Sequence, residues 1–271
     1  MRVRIRDGYY HVKIKGSGSD LVVLHGFTGS ADSWSRFQEQ LQDQYRIIAI
    51  DLPGHGQTEV PLNEDYISME CVCDDIKSIL KHLSIYQAAF LGYSMGGRTA
   101  LAFSVRYPEM ITSLILESAS PGLRLSEERA QRRKQDQELA EFIEREGVST
   151  FTDRWESIPL FASQKSLPDE QKKIIREQRL SNVAEGLSAS LRWMGTGQQL
   201  SYWERLTELH MPVLLLTGEY DSKFNQIAGE MMKYLPDGRH EVILSAGHAI
   251  QVEQPEKFDT IVREFLIHHV N

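Results

Sequence analysis

Eight short apolar runs rich in β-branched residues recur along the 271-residue chain, and amphipathic stretches of helical length separate most of them. That alternation demands a mostly parallel α/β sheet, because parallel neighbours need a crossover and the crossover helix covers a sheet face. The runs are Val3 to Ile5, Tyr9 to Ile14, Leu21 to Leu24, Ile47 to Asp51, Ala88 to Leu91, Ile111 to Leu116, Val213 to Thr217 and Glu241 to Leu244. Asp7-Gly8, between the first two, is a hairpin signal. Helices are expected over Ala31 to Leu41, Met69 to Leu83, Met95 to Tyr107 and Pro255 to His268, the last opened by a proline suited to a first turn.

The rhythm fails once. Residues 117–212 lack strand patterning, and they far exceed an ordinary connection. Ser126 to Arg145 is charged with apolar residues at helical spacing, and Lys172 to Leu180 restarts such a pattern after Leu167-Pro168-Asp169. The expected organisation is an α/β core in two parts, 1–119 and 209–271, with a helical cap over 120–208. No repeat or long linker interrupts it.

With 41% hydrophobic and 25% charged residues the chain has ordinary globular composition, and a formal net charge of −8 argues against a phosphate-backbone partner. Met1-Arg2-Val3-Arg4-Ile5-Arg6 reads as a strand rather than a signal peptide, and no run approaches the ~20 apolar residues of a membrane span. Cys71 and Cys73, two apart in an expected helix, do not face each other and suit a reducing compartment. A soluble cytoplasmic protein is expected, with neither nucleic acid nor membrane as partner. The sequence does not fix its oligomeric state, for which a monomer is a plausible form.

Directly after Ala88 to Leu91 stands Gly92-Tyr93-Ser94-Met95-Gly96-Gly97, a G-x-S-x-G string between an expected strand and helix. Glycines on both sides let the two elements approach, so the serine hydroxyl is presented at the sheet edge on a sharp turn. A serine nucleophile or base needs a histidine, and the histidine an acid, in the chain order Ser, Asp, His. Asp221 follows Val213 to Thr217 through Gly218-Glu219-Tyr220, and His248 follows Glu241 to Leu244 through Ser245-Ala246-Gly247. Both fall at C-terminal strand ends, the edge where open α/β sheets assemble sites. Singly, Asp221 also reads as a turn residue and His248 as a surface histidine.

An oxyanion would be met by the backbone N–H groups of Met95 and of Phe27, the latter in the loop His25-Gly26-Phe27-Thr28-Gly29. Asp51-Leu52-Pro53-Gly54-His55-Gly56 is expected to shape the site wall without chemistry. His11, His82, His210, His240, His268 and His269 lack an acid or nucleophile context and read mostly as solvated. No pair has metal-ligand spacing, so neither metal nor other cofactor is expected. Arg98 lies in the first turn after Ser94, where a cation opposes the helix dipole. It suits a substrate carboxylate held bidentately, or alternatively a salt bridge to the cap.

With these residues in place, the chain resembles the α/β hydrolases over its whole length and, more narrowly, the 2-succinyl-6-hydroxy-2,4-cyclohexadiene-1-carboxylate synthases of menaquinone biosynthesis. Arg98 within the elbow string, Ser120-Pro121-Gly122-Leu123-Arg124, Trp155-Glu156, Pro159-Leu160-Phe161, Arg179-Leu180-Ser181-Asn182 and Asp221-Ser222-Lys223-Phe224 carry the narrower resemblance. It implies elimination of pyruvate from a polycarboxylate, 2-succinyl-5-enolpyruvyl-6-hydroxy-3-cyclohexene-1-carboxylate. It further implies Arg98, Arg179 and Arg124 as carboxylate ligands, and Tyr93, Trp155 and Lys223 as pocket lining. Arg129, Arg132, Arg133 and Lys134 read instead as a solvated helix face. Two other readings stay open: a serine hydrolase of an ester, thioester or C–C bond, and a ligand receptor without catalysis.

Overall fold

The computed structural model describes residues 1–269. Its eight strands are β1 (Arg2–Ile5), β2 (Gly8–Lys15), β3 (Ser19–Leu24), β4 (Tyr45–Ile50), β5 (Ala88–Tyr93), β6 (Ile111–Glu117), β7 (Val213–Gly218) and β8 (Gly238–Ile243). They form one sheet in the order β1-β2-β4-β3-β5-β6-β7-β8. β1 and β2 pair antiparallel, as does β2 with β4, and every later pair is parallel. The helix Met95–Arg106 packs against one face, in a core with Phe90, Leu114 and Val213. The opposite face buries Trp34, Phe37 and Phe258 against Leu21, Leu91 and Leu214. Central strands β3 to β7 are covered on both faces, which is why they read as continuous apolar runs.

Three expected elements differ. β8 starts at Gly238 and ends at Ile243, because an edge strand with a half-exposed face keeps Arg239, His240 and Glu241 polar, so its first three residues fall outside the apolar run. Ala31–Leu41 divides into a 3-10 turn, Ala31–Trp34, and a helix, Ser35–Leu41. The helix from Ser126 runs on to Ser157, interrupted at Gly147, whose φ of 80° and ψ of 167° are not helical.

The segment between β6 and β7 also holds the 3-10 stretch Pro159–Ser166 and the helices Asp169–Leu180 and Ala184–Met194. The last of these was not expected. Gly186, Ser188 and Ser190 make it a weak helix former, yet those small residues allow close packing. The Ser188 hydroxyl donates to the Ala140 carbonyl at 3.0 Å, and Leu187 and Leu191 share an apolar cluster with Ile143 and Phe151. Among the described residues no helix is long and apolar enough to cross a membrane.

Candidate active site at the strand C-termini

Sterics set the elbow. A Cβ at Gly92 would overlap the Gly96 carbonyl, and one at Gly96 would overlap the Leu24 carbonyl, so strand and helix meet only with glycine at both places. Ser94 between them takes φ 51° and ψ −105°, a strained conformation that projects its hydroxyl from the edge. Its N–H donates to the Glu117 carbonyl on β6 at 2.8 Å, which ties the elbow to the neighbouring strand.

Ser94 Oγ lies 3.0 Å from His248 Nε2, and His248 Nδ1 lies 2.6 Å from Asp221 Oδ2. A carboxylate only accepts, so Nδ1–H is the donor and Nε2 is left to accept the serine proton, the tautomer a general base requires. Asp221 Oδ1 also accepts from Phe224 N at 3.4 Å and so caps the helix Ser222–Met231. Three residues from the ends of β5, β7 and β8 are thereby in one hydrogen-bonded line.

Met95 opens its helix, where a backbone N–H has no intrahelical acceptor. Phe27 sits in the β3 loop, which His25 fastens: Nδ1–H donates to the Gly26 carbonyl at 2.8 Å while Nε2 accepts from Leu52 N at 3.0 Å. Burial lowers the His25 pKa, which keeps the ring neutral and able to do both. Asn182 Nδ2 donates to the Thr28 carbonyl at 2.9 Å, joining the insertion to this loop. The Asp51–Gly56 segment does not line the cavity above Ser94, contrary to expectation. It stands one layer behind, where buried His55 meets the Phe27 ring edge-on at 5.5 Å and burial drives its pKa down to about 3.

Glu117 went unnoticed in the sequence because it ends an apolar strand with no motif around it. It is fully buried, and its Oε1 accepts from Ile250 N at 2.6 Å and Gln251 N at 3.1 Å, immediately after His248. Oε2 has no partner. Burial outweighs the two N–H donors and raises the carboxyl pKa well above its usual 4.5. A carboxyl with a raised folded-state pKa gives stability that is complete below the unfolded value and lost as pH rises through the folded one. Glu117→Gln, which keeps one acceptor and cannot ionise, is therefore expected to gain thermal stability relative to the parent as pH rises above the usual carboxyl value of 4.5. Melting curves across that range check it; a pH-independent difference between the two proteins would refute it.

Above Ser94 lies a cavity of about 580 Å³. Its walls include Phe27, Tyr93, Trp155, Phe161 and Met194, and Arg98, Arg124, Arg132 and Lys223 supply positive charge. The Tyr93 ring is 5.5 Å from that of His248, and Trp155 meets Phe27 edge-on at 5.5 Å with its indole N–H unpaired. Arg98 is 9% exposed and donates to Gln199 Oε1 at 2.7 Å and the Met194 carbonyl at 3.1 Å. Burial and nearby Arg132 push its pKa down to about 10, still cationic at neutral pH. No carboxylate pairs with it among the described residues, so the expected alternative of a cap salt bridge is not what the structure holds.

The other cations differ in standing. Arg124 lies at the rim, paired with Glu230 at 3.0 Å and stacked 4.0 Å over Trp203. Lys223 is exposed at the same rim. Arg132, expected on a solvated face, lines the cavity and pairs with buried Asp136 at 2.8 Å. Arg179 is not among its lining residues: the buried guanidinium lies beside Phe161, 5.0 Å from that ring, bonded to Gln164 at 3.1 Å and Glu156 at 3.2 Å, in an adjoining pocket. Of the remaining histidines, His11 pairs with Asp51 at 2.9 Å and His240 bonds Thr217 at 2.7 Å, so neither is merely solvated. Among the described residues, no cluster of three His, Cys, Asp or Glu side chains could hold a metal.

A serine on a strand-to-helix elbow, bonded through histidine to aspartate at the end of this sheet, defines an α/β hydrolase, and the alpha/beta hydrolase fold family model matches residues 21–255. The chain is 44% identical over 269 residues, 98% of each protein, to a Bacillus subtilis (strain 168) protein named as a candidate 2-succinyl-6-hydroxy-2,4-cyclohexadiene-1-carboxylate synthase. It is 32% identical to the synthase of that name from Salmonella agona, over 90% of this chain and 92% of the other. The solved structure of MenH from S. aureus superposes with a TM-score of 0.92 at 37% identity, covering 97% and 99% of the two chains. Within the hydrolase fold, the chain belongs to the 2-succinyl-6-hydroxy-2,4-cyclohexadiene-1-carboxylate synthase family.

Proposed function

We propose that this protein is a carbon–oxygen lyase that converts 2-succinyl-5-enolpyruvyl-6-hydroxy-3-cyclohexene-1-carboxylate to 2-succinyl-6-hydroxy-2,4-cyclohexadiene-1-carboxylate and pyruvate. The observation that carries this reading is a cationic guanidinium, Arg98, paired with no carboxylate among the described residues, in one cavity with Ser94 and His248. A neutral ester has no use for it; a substrate with several carboxylates does.

Ser94, its proton passing to His248, removes the ring proton beside the succinyl ketone. The C–H electrons form a new ring double bond, the existing one shifts, and the bond to the enolpyruvyl oxygen breaks. Charge gathers on the ketone oxygen, where the N–H groups of Met95 and Phe27 would meet it. Protonation of the expelled enolate on carbon gives pyruvate, and no acyl-enzyme forms. Asp221 orients His248 and stabilises its charged form. Residues 120–208 act as a cap that keeps water from the enolate, and Arg98, Arg132 and rim cations Arg124 and Lys223 draw the carboxylates in. Tyr93 and Trp155 frame the ring. Arg179, paired with Glu156, lines an adjoining pocket that shares Phe27, Tyr93 and Phe161 with the cavity, and would add a further cation at that side. The two free cysteines suit a reducing compartment, and the cytoplasm is the place we assign to the reaction.

The test is pyruvate release from freshly generated substrate, with hydrolysis of p-nitrophenyl acetate in parallel. Many turnovers of pyruvate per protein are expected. Release no faster than the spontaneous reaction, with ester hydrolysis intact, would make this a hydrolase.

A further inference from the structure

Arg98 owes its orientation to a short segment that no motif singled out. After the helix Ala184–Met194 the chain turns through Gly195-Thr196-Gly197-Gln198-Gln199, with Gln198 N and Gln199 N both donating to the Gly195 carbonyl, at 3.0 and 3.3 Å. The turn is tightly seated: Arg133 holds the Gly197 carbonyl at 2.9 Å, and a Cβ on Gly197 would lie 2.5 Å from Arg133 N. It delivers the Gln199 side chain, 2% exposed, against Arg98.

Chemistry fixes which end of the amide faces the guanidinium. Arginine has only donors, so the oxygen must point at it and the NH2 group must point away. The Gln199 Nε2 atom is indeed buried with no partner. The fold thus tolerates an orphaned amide in order to place a neutral oxygen where a carboxylate would bind far more strongly. The second acceptor, the Met194 carbonyl, is neutral too. Two of the five guanidinium N–H groups are spent on orientation, the residue lines the cavity, and neither acceptor neutralises the charge by pairing with it.

We infer that Gln199 is a positioning residue that keeps Arg98 aimed yet unneutralised, and that this sets the preference of the cavity for carboxylate-bearing ligands. The inference rests on the lyase reading for its substrate, but its binding arm does not require turnover.

The experiment compares the parent with Gln199→Glu and Gln199→Met. It measures kcat and KM for pyruvate release, the dissociation constant of 2-succinylbenzoate, a stable dicarboxylate of the product's shape, and the melting temperature. For Gln199→Glu, KM and the dissociation constant are expected to rise about 30-fold or more, the size of one lost charge-assisted bond, with kcat within about 3-fold. Gln199→Met keeps the shape and loses the acceptor, so a smaller rise, about 5-fold, is expected. Equal losses in the two variants, or losses confined to kcat and melting temperature, would show Gln199 to be packing alone and overturn the inference. Should Gln199→Glu fail to fold, unchanged binding in Gln199→Met overturns it equally. If the parent binds 2-succinylbenzoate but releases no pyruvate, the lyase reading fails while the role of Gln199 is still decided by the binding series.

Discussion

Ser94→Ala is expected to lower kcat for pyruvate release by about 10³-fold or more while leaving the binding of 2-succinylbenzoate unchanged, since a positioned general base is worth roughly 10²–10⁴ and the relay to His248 is lost with it. The hydroxyl is the group bonded to the imidazole on its cavity side: His248 Nε2 lies 3.0 Å from Oγ, and Nδ1 of the same ring is held by Asp221 at 2.6 Å. Removing Oγ takes away the proposed base, whereas the cavity cations Arg98, Arg124, Arg132 and Lys223 stay in place. A kcat that fell less than about tenfold would mean that His248 acts directly or that chemistry is elsewhere. The same variant should also lose any ester-cleaving activity, because both reactions would use the one hydroxyl.

Arg98→Met is expected to raise KM by about 10²-fold with a much smaller change in kcat. Charge-assisted hydrogen bonds contribute about 1.5–3 kcal/mol each, and a guanidinium can offer two to one carboxylate. Methionine fills a similar volume, and folding no longer bears the desolvation of a buried cation, so the melting temperature should fall by no more than a few degrees. Michaelis curves and melting curves on the same preparations check both statements. An unchanged KM beside a large loss of stability would make Arg98 a structural link between helix and cap instead of a ligand.

What the sequence revealed follows from how local the causes are. The elbow was legible because the clashes that demand glycine at 92 and 96 lie within one strand-to-helix turn and its neighbour. Ser94, Asp221 and His248 could be read together because each follows an apolar run, and parallel strands deliver their C-termini to one edge. Causes that reside in tertiary contact left no such trace. Arg132 sits in a run of charges that any periodicity argument assigns to solvent, and only the fold of the insertion turns it toward the cavity. Arg179 reads as a pocket residue from its local string, and the fold sets it beside Phe161, paired with Glu156, in a pocket adjoining the cavity above Ser94. Glu117 and Gln199 matter through backbone groups and an arginine far away in sequence, which no pattern in their own neighbourhood could announce.

Asp221 has two employments, one oxygen on His248 and the other on the first turn of the helix Ser222–Met231. Loss of an N-cap removes about 0.5–2 kcal/mol from a fold. In lineages where selection for turnover is relaxed, this capping contact gives the aspartate a reason to be retained that Ser94 and His248 do not share. A descendant bearing Asp without its serine and histidine is the expected fossil of this architecture, and an intact aspartate says nothing by itself about whether such a protein is still an enzyme.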